Sequence, residues 1–199
     1  MNQEALLDWY ERNKRPLPWR LNPSPWSILL SEILLQQTQM ERGIEYHERL
    51  LKRFPTLSSM AESSVDDVLL LWQGAGYYSR ARRLHALSIE VVEAHGGVLP
   101  KTYEELLKLP GIGPYTAAAV ASIAYSEPVA CVDGNIRRVM ARQSNQEKPS
   151  MKDVQRFADK HLFIDAPSEW NQAMMELGAL LCKPRNPICD QCPVAETCS

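Results

Sequence analysis

The residues best equipped for chemistry in this sequence are a cysteine cluster and two carboxylates. Cys131 stands alone, while Cys182, Cys189, Cys192 and Cys198 crowd the end of the chain with the spacing C-x6-C-x2-C-x5-C. In a reducing compartment so dense a set of thiols argues for metal ligation rather than disulfides. Zinc would take four thiolates as a tetrahedron, usually through a C-x2-C pair at each end of a loop, and only one such pair is present. An iron–sulfur cube is larger than one ion and can be wrapped by a single loop of uneven spacing, so the pattern favours [4Fe–4S] over zinc. The first carboxylate, Glu32, lies in WSILLSEILLQQTQ among Ile28, Leu29, Leu30, Ile33, Leu34 and Leu35. Apolar neighbours desolvate a carboxyl and let it donate a proton near neutral pH. Read as a helix, however, Ile28, Glu32, Gln36 and Gln39 also share one stripe that can face solvent. The second, Asp133 in VDGNIRRV, reads on its own as an N-cap for the helix that carries Ile136, Val139 and Met140.

A third piece is LPGIGPYTAAAVASIAY, residues 109–125. Gly111 and Gly113 allow a tight turn with positive φ, and Pro114 stands where a new helix starts, so one helix ends and another restarts within a few residues. Backbone N–H groups at the restart carry the partial positive charge of a helix N-terminus and can hold a phosphate without sequence preference. An ordinary αα-hairpin has the same signature.

The elements that must position these groups are helical. Turn signals recur between helix-length segments and no stretch alternates with period two, which predicts an all-α fold of about ten short helices. Ser24-Pro25 opens a segment running to about Gln39, Thr102 and Glu105 form a capping box for 103–109, and Ser150 with Asp153 starts a helix near Met151. Gly96-Gly97 closes a long segment that begins near Ser79. The 199 residues are 45% apolar and 23% charged, with no apolar run near the ~20 residues that cross a bilayer. A membrane role is not expected. Twenty-two basic against 24 acidic residues give a net charge of −2, which excludes a generally basic nucleic-acid coat. Any polyanion must meet a local patch. The acidic, uninterrupted N-terminal segment lacks the form of a secretory signal, which places the chain in the cytoplasm or nucleoid.

The pieces LLSEILLQQTQ, LPGIGPYTA, VDGNIRRV and the cysteine tail, in that order, resemble the helix-hairpin-helix DNA glycosylases with an iron–sulfur loop, over almost the whole chain. Within that superfamily PWR at 18–20, SEILLQQTQ at 31–39, GAGYYSRAR at 74–82 and WNQAMMELGALLC at 170–182 resemble the catalytic portion of MutY-type adenine DNA glycosylases. The resemblance implies a six-helix barrel domain with the helix-hairpin-helix at 19–128, and an iron–sulfur cluster domain formed by 1–18 with 129–199. It further implies a monomer that binds double-stranded DNA containing a mismatch in the groove between them.

It also implies a division of labour. Glu32 and Asp133 would face each other, the equipment for cleaving a glycosidic bond. Adenine leaves poorly as an anion, so Glu32 would protonate a ring nitrogen while ionised Asp133, with Asn135 beside it, would meet the positive charge growing on the sugar or bond to it covalently. The base would be flipped out of the stack. Gln37, Thr38 and Tyr77 would enter the duplex and probe the opposite strand, and Trp19, Arg20, Leu35 and Gln172 would line the adenine pocket. Gly111 and Gly113 would hold phosphate, and Cys182, Cys189, Cys192 and Cys198 would hold the [4Fe–4S] cluster. Three basic clusters, Arg80 with Arg82 and Arg83, Arg137 with Arg138, and Lys183 with Arg185, would form a DNA-facing stripe.

Tyr115 separates branches of the superfamily. Endonuclease III-like enzymes carry a lysine at the matching position, whose amine attacks the sugar and drives strand cleavage. A phenol forms no Schiff base, so Tyr115 implies a monofunctional enzyme and a support for the catalytic carboxylates. Thymine or uracil mismatch glycosylases also carry tyrosine here and are the alternative enzyme, and a non-enzymatic iron–sulfur protein that binds lesions is the alternative without chemistry. Retention of both Glu32 and Asp133 speaks against the latter. Two departures from the pattern remain. MutY-type enzymes usually continue into a MutT-like domain that helps inspect 8-oxoguanine opposite the adenine, whereas this sequence ends at Ser199, and Ala75 replaces a larger apolar residue in the GAGYY string. Both imply weakened discrimination between 8-oxoguanine and guanine.

Overall fold

A computed structural model describes residues 1–198, and among them every regular element is helical. The helices are α1 (Gln3–Asn13), α2 (Pro18–Leu21), α3 (Pro25–Leu34), α4 (Met40–Arg53), α5 (Leu57–Ala61), α6 (Val65–Trp72) and α7 (Tyr78–His95). They continue as α8 (Tyr103–Leu106), α9 (Pro114–Tyr125), α10 (Gly134–Gln143), α11 (Met151–His161) and α12 (Pro167–Leu180), followed by two 3₁₀ turns at Cys189–Gln191 and Ala195–Thr197. Their starts are chemical. Ser24, Thr102 and Ser150 each accept a hydrogen bond from the backbone N–H three residues on, at 3.0, 3.3 and 3.1 Å, which satisfies one orphan donor of α3, α8 and α11. Gly96, with φ +62°, ends α7 in the left-handed conformation that glycine adopts without a Cβ penalty.

Two helices are shorter than their sequence pattern suggests. α3 stops at Leu34 rather than near Gln39, and α8 stops at Leu106 rather than at 109. After α8 the chain tightens into i→i+3 turns, Lys108 N to Glu105 O and Leu109 N to Leu106 O, which lead directly into the hairpin. After α3 a side chain from elsewhere takes over the terminal carbonyls, as described below.

Two compact units make up the chain: residues 16–120, and residues 1–15 with 121–199. Within residues 16–120, α2 packs on α3 and α4, α3 on α4, α6 on α4, and α7 across α5 and α6. Every residue from Trp26 to Leu34 is buried, so α3 is a central helix, apolar nearly all round. Leu29, Leu30, Leu34, Leu50, Phe54 and Trp72 form the core around it. That position decides the fate of Glu32. The helix has no solvent face for the proposed stripe, and Glu32 is carried inward with its apolar neighbours, 8% exposed.

In the other unit α12 is central, packed by α1 and α10, while α11 lies on α10. The α10–α12 contact is close because residue 178 is glycine: a Cβ there would stand 2.5 Å from the Cβ of Asn135. Glu176 of α12 is fully buried and accepts from the Arg15 backbone N–H at 3.0 Å and from its guanidinium at 2.6 and 3.0 Å. A buried carboxylate is tolerable only with such partners.

Candidate active site

In residues 16–120 the buried Glu32 carboxyl receives the Tyr115 hydroxyl at 2.6 Å. Tyr115 stands in the first turn of α9, and the following residue, Thr116, receives Gln36 Nε2 at 3.3 Å. The hairpin thereby presents a phenol to the acid of α3. The hairpin itself is built on one left-handed glycine, not two. Gly111 has φ +78°, and a Cβ there would come within 3.1 Å of the Arg83 side chain. Gly113 does not adopt positive φ, contrary to the expectation from the GxG string. One reversal is enough, and Gly113 instead caps α9, its carbonyl accepting the Ala117 N–H at 2.9 Å.

The loop that follows α3 meets the turn that precedes α7 at Arg80. This arginine, only 8% exposed, starts as a member of a basic cluster in sequence but is turned inward, so that of the three expected to face DNA only Arg82 and Arg83 are exposed. Its Nη1 donates to the carbonyls of Ile33 and Leu34, both at 2.9 Å, and to that of Gln36. Its Nη2 donates to Thr38 Oγ1 at 3.2 Å and to the Ala75 and Gly76 carbonyls at 3.4 Å. The guanidinium also lies 5.5 Å from the ring centres of Trp72 and Tyr77. It therefore satisfies the last carbonyls of α3, at the negative end of that helix, which is why α3 ends at Leu34. The two segments it joins each contain a non-glycine residue in the left-handed region, Gln37 with φ +60° and Tyr77 with φ +48°. Holding each costs about 1–2 kcal/mol, and bonds to a charged donor, at about 1.5–3 kcal/mol each, work against that cost and against the burial of the guanidinium. Both side chains are exposed, Tyr77 to 62%. Nearby in the same unit, Trp19 is buried with its ring 5.1 Å from His47 in an edge-on contact, Arg20 is half-buried, and half-buried Leu35 fits under α4 because residue 43 is glycine.

In the unit that contains it, Asp133 does what its sequence suggested and more. Oδ1 accepts the Ile136 N–H at 2.7 Å, capping α10, while Oδ2 accepts Asn135 Nδ2 at 2.8 Å. Burial pushes its pKa up from the ordinary value, and these hydrogen bonds with the nearby Arg138 charge pull it back down. The backbone that delivers Asp133 is pinned by Asn171, which accepts from Cys131 N at 3.0 Å and donates to Val129 O at 2.9 Å and Ser122 Oγ at 3.0 Å. Arg138 carries the network onward: Nη2 donates to Asn135 Oδ1 at 2.8 Å and to Gly178 O at 2.7 Å, and Nε to Cys182 O at 2.7 Å. Arg138 is thus bound internally rather than left for DNA. Half-buried Gln172 accepts the Tyr10 hydroxyl and donates to Ser168 Oγ, both at 3.2 Å.

Cys182, Cys189, Cys192 and Cys198 all line one cavity of about 290 Å³, together with Leu177, Leu181, Ile188 and Val194. Among the described residues no three His, Cys, Asp or Glu side chains draw together as one ion requires. All four cysteines line this one space, and four thiols around a cavity of that volume are a donor set that fits a cube. Arg142 Nη1 donates to Cys182 Sγ at 3.1 Å and to Lys183 O at 2.8 Å, fixing the start of the loop. Sequence reasoning did not single out Arg142 or Asn171. The signal for the first is its spacing: Arg138 and Arg142 are four apart on α10 and so share one face. Asn171 leaves no such trace, because most of its partners, Ser122 Oγ and the backbone of Val129 and Cys131, lie 40 to 49 residues away.

Comparison with known proteins decides the family. Residues 30–162 match the HhH-GPD superfamily of base excision DNA repair proteins. The chain belongs to this superfamily. Residues 182–198 match the iron–sulfur binding domain of endonuclease III, so the HhH-GPD chain carries an iron–sulfur cluster, the [4Fe–4S] group expected from its cysteine spacing. It is 42% identical to an adenine DNA glycosylase of Rattus norvegicus over 211 residues, covering 97% of this chain and 40% of that protein. The adenine DNA glycosylase of Mycobacterium tuberculosis (strain CDC 1551 / Oshkosh) is also 42% identical, over 95% of this chain and 64% of that one. The chain therefore spans less than two thirds of the length of these relatives. A solved structure of a thermostable thymine-DNA glycosylase superposes with a TM-score of 0.91 at 27% identity, covering 98% of this chain and 93% of that one. The all-α helix-hairpin-helix glycosylase fold, a six-helix barrel with an iron–sulfur domain, is the fold of this HhH-GPD protein.

Proposed function

We propose that this chain is a monofunctional DNA glycosylase that removes adenine mispaired with 8-oxoguanine or guanine from double-stranded DNA, as a monomer acting on the nucleoid. The observation that carries the reading is the 2.6 Å bond from Tyr115 to Glu32: a buried acid held by a phenol, at the place where strand-cleaving relatives are expected to carry an amine. The 42% identity to adenine DNA glycosylases over nearly the whole chain supports adenine as the base.

In the reaction the bond between C1′ and the base nitrogen breaks and its electron pair leaves with adenine. Glu32 supplies the proton that makes adenine a neutral leaving group, and Tyr115 stabilises the carboxylate left behind. Asp133, ionised and oriented by Asn135 and by the α10 N-terminus it caps, faces the positive charge on the sugar. Water then adds at C1′ and its proton returns to a carboxylate. Gln37, Thr38 and Tyr77 take the place of the flipped nucleotide, while Trp19, Arg20, Leu35 and Gln172 contact the base. The amides around Gly111 and Gly113 hold a phosphate. Cys182, Cys189, Cys192 and Cys198 would hold the cluster, whose part would be to brace the loop between them, since glycosidic cleavage moves no electrons.

Single-turnover rates on duplexes with adenine opposite 8-oxoguanine, guanine or cytosine test this, with thymine opposite guanine alongside. Glu32→Gln and Asp133→Asn are each expected to lower the rate at least ~10²-fold, the low end for a positioned acid or charge stabiliser, with binding retained. The superposition on a thymine-DNA glycosylase favours a second reading, removal of thymine opposite guanine, and faster release of thymine than of adenine would establish it instead.

A further inference from the structure

We infer that Arg80 is a positioning residue that locks Gln37 and Tyr77 into a single pre-formed wedge, so that the two side chains enter a DNA duplex together. The inference rests on the glycosylase reading above for the substrate, and on four observations for the device. A buried cation is normally paired with a carboxylate. Arg80 has none among the described residues; its two Nη groups donate to backbone carbonyls and one hydroxyl, while its buried Nε has no hydrogen-bond partner. Those acceptors lie on either side of the two exposed left-handed residues, Gln36 and Thr38 flanking Gln37, and Gly76 preceding Tyr77. Neither Gln nor Tyr adopts this conformation readily, and strain retained at an exposed side chain marks a functional position. Finally, the Tyr77 ring sits 62% exposed with the guanidinium 5.5 Å from its centre, so the same group sets both the backbone and the direction of the ring.

The consequence is energetic coupling. If the tips were independent, ordering each against the stack would cost separately at the moment of binding. With the backbone around both held by one guanidinium, the backbone share of that ordering precedes DNA binding. Arg80 therefore acts on base extrusion and not on the bond-breaking step.

The test compares Arg80→Met and Arg80→Lys with wild type on two substrates at matched salt: adenine opposite 8-oxoguanine in an intact duplex, and adenine already unstacked opposite a one-nucleotide gap. Fluorescence of 2-aminopurine beside the mismatch reports extrusion directly. Arg80→Met is expected to lose about 30-fold or more on the intact duplex, as for a charge-assisted hydrogen bond or two, and less than about threefold on the gapped one. The fluorescence rise should fall in parallel. In a Gln37→Ala/Tyr77→Ala background, adding Arg80→Met should cost less than about threefold more, because the tips through which it acts are gone. Arg80→Lys, which keeps the charge but loses the fork, should fall between, and it carries the test if Arg80→Met unfolds by circular dichroism. Equal losses on both substrates in a folded variant, or full additivity with the double alanine variant, would overturn the inference in favour of a purely structural role. Wild type that extrudes the base without cleaving it refutes the glycosylase reading while supporting the clamp. Wild type that does not disturb the duplex overturns both.

Discussion

Replacing Tyr115 by phenylalanine removes one oxygen and isolates its contribution. The ring stays in the first turn of α9, and Glu32 Oε2 loses a donor now 2.6 Å away. A neutral hydrogen bond is worth about 0.5–1.5 kcal/mol net, and one to a charged group about 1.5–3 kcal/mol. If Glu32 begins the reaction protonated and ends it ionised, the phenol stabilises the second state more than the first. Part of the difference then appears in the barrier. Tyr115→Phe should accordingly slow base release by about 10- to 100-fold, since each 1.36 kcal/mol is tenfold in rate. Affinity for the mismatched duplex should change by less than about threefold, because the bond does not involve DNA. The assay is single-turnover release of adenine with enzyme in excess, paired with titration of a non-cleavable duplex at the same salt. A rate within about twofold of wild type, in a variant whose melting temperature is retained, would refute the role given to the Glu32–Tyr115 pair. A loss confined to affinity would place Tyr115 in DNA binding instead.

Wild-type protein should not cleave the strand without added alkali, and borohydride should trap no enzyme–DNA adduct, because position 115 offers a phenol and not an amine; trapping would mean that some lysine acts as nucleophile. Burial holds the Asp133 pKa above the ordinary 3.8, so the acid limb of kcat/KM should lie above that pH as the carboxylate must be ionised to work. The same shift sets stability: the native state binds this proton more tightly than the unfolded chain, so wild type should lose stability relative to Asp133→Asn as pH climbs from 3.8 through the raised pKa, read as the difference in melting temperature. Purified protein should be yellow-brown with about four irons per chain. Colourless protein with one tightly held zinc would overturn the cluster assignment.

How much of the site is legible without coordinates depends on how local its physics is. The caps at Ser24, Thr102 and Ser150, the glycine stop at Gly96 and the Asp133 cap are all interactions within four residues, and each reads directly from residue type and spacing. The cysteine cluster is legible for the same reason, its four members being neighbours along one loop. The two helix ends missed, after Leu34 and Leu106, are ends decided elsewhere: α8 yields to the turn that feeds the hairpin, and α3 yields to a guanidinium 44 to 47 residues away. The GxG string overstates its glycines, since the turn requires left-handed φ at Gly111 alone.

Residue type and spacing by themselves determined that the protein is all helical, that a hairpin interrupts it near residue 111 and that four cysteines serve one cofactor, whereas Glu32 and Asp133 stood out as a pair only through the resemblance to a known family. Whether Glu32 faced water or core was undecidable in sequence, because its stripe is periodic either way; burial of α3 on every side settles it. The direction of Arg80 was equally undecidable. In sequence it is one of three cations at the start of a helix, and charge alone points it outward. Only the packed chain reveals that carbonyls at the end of α3 and of the Ala75-Gly76 turn converge on one buried point, within reach of the two Nη groups of a single guanidinium.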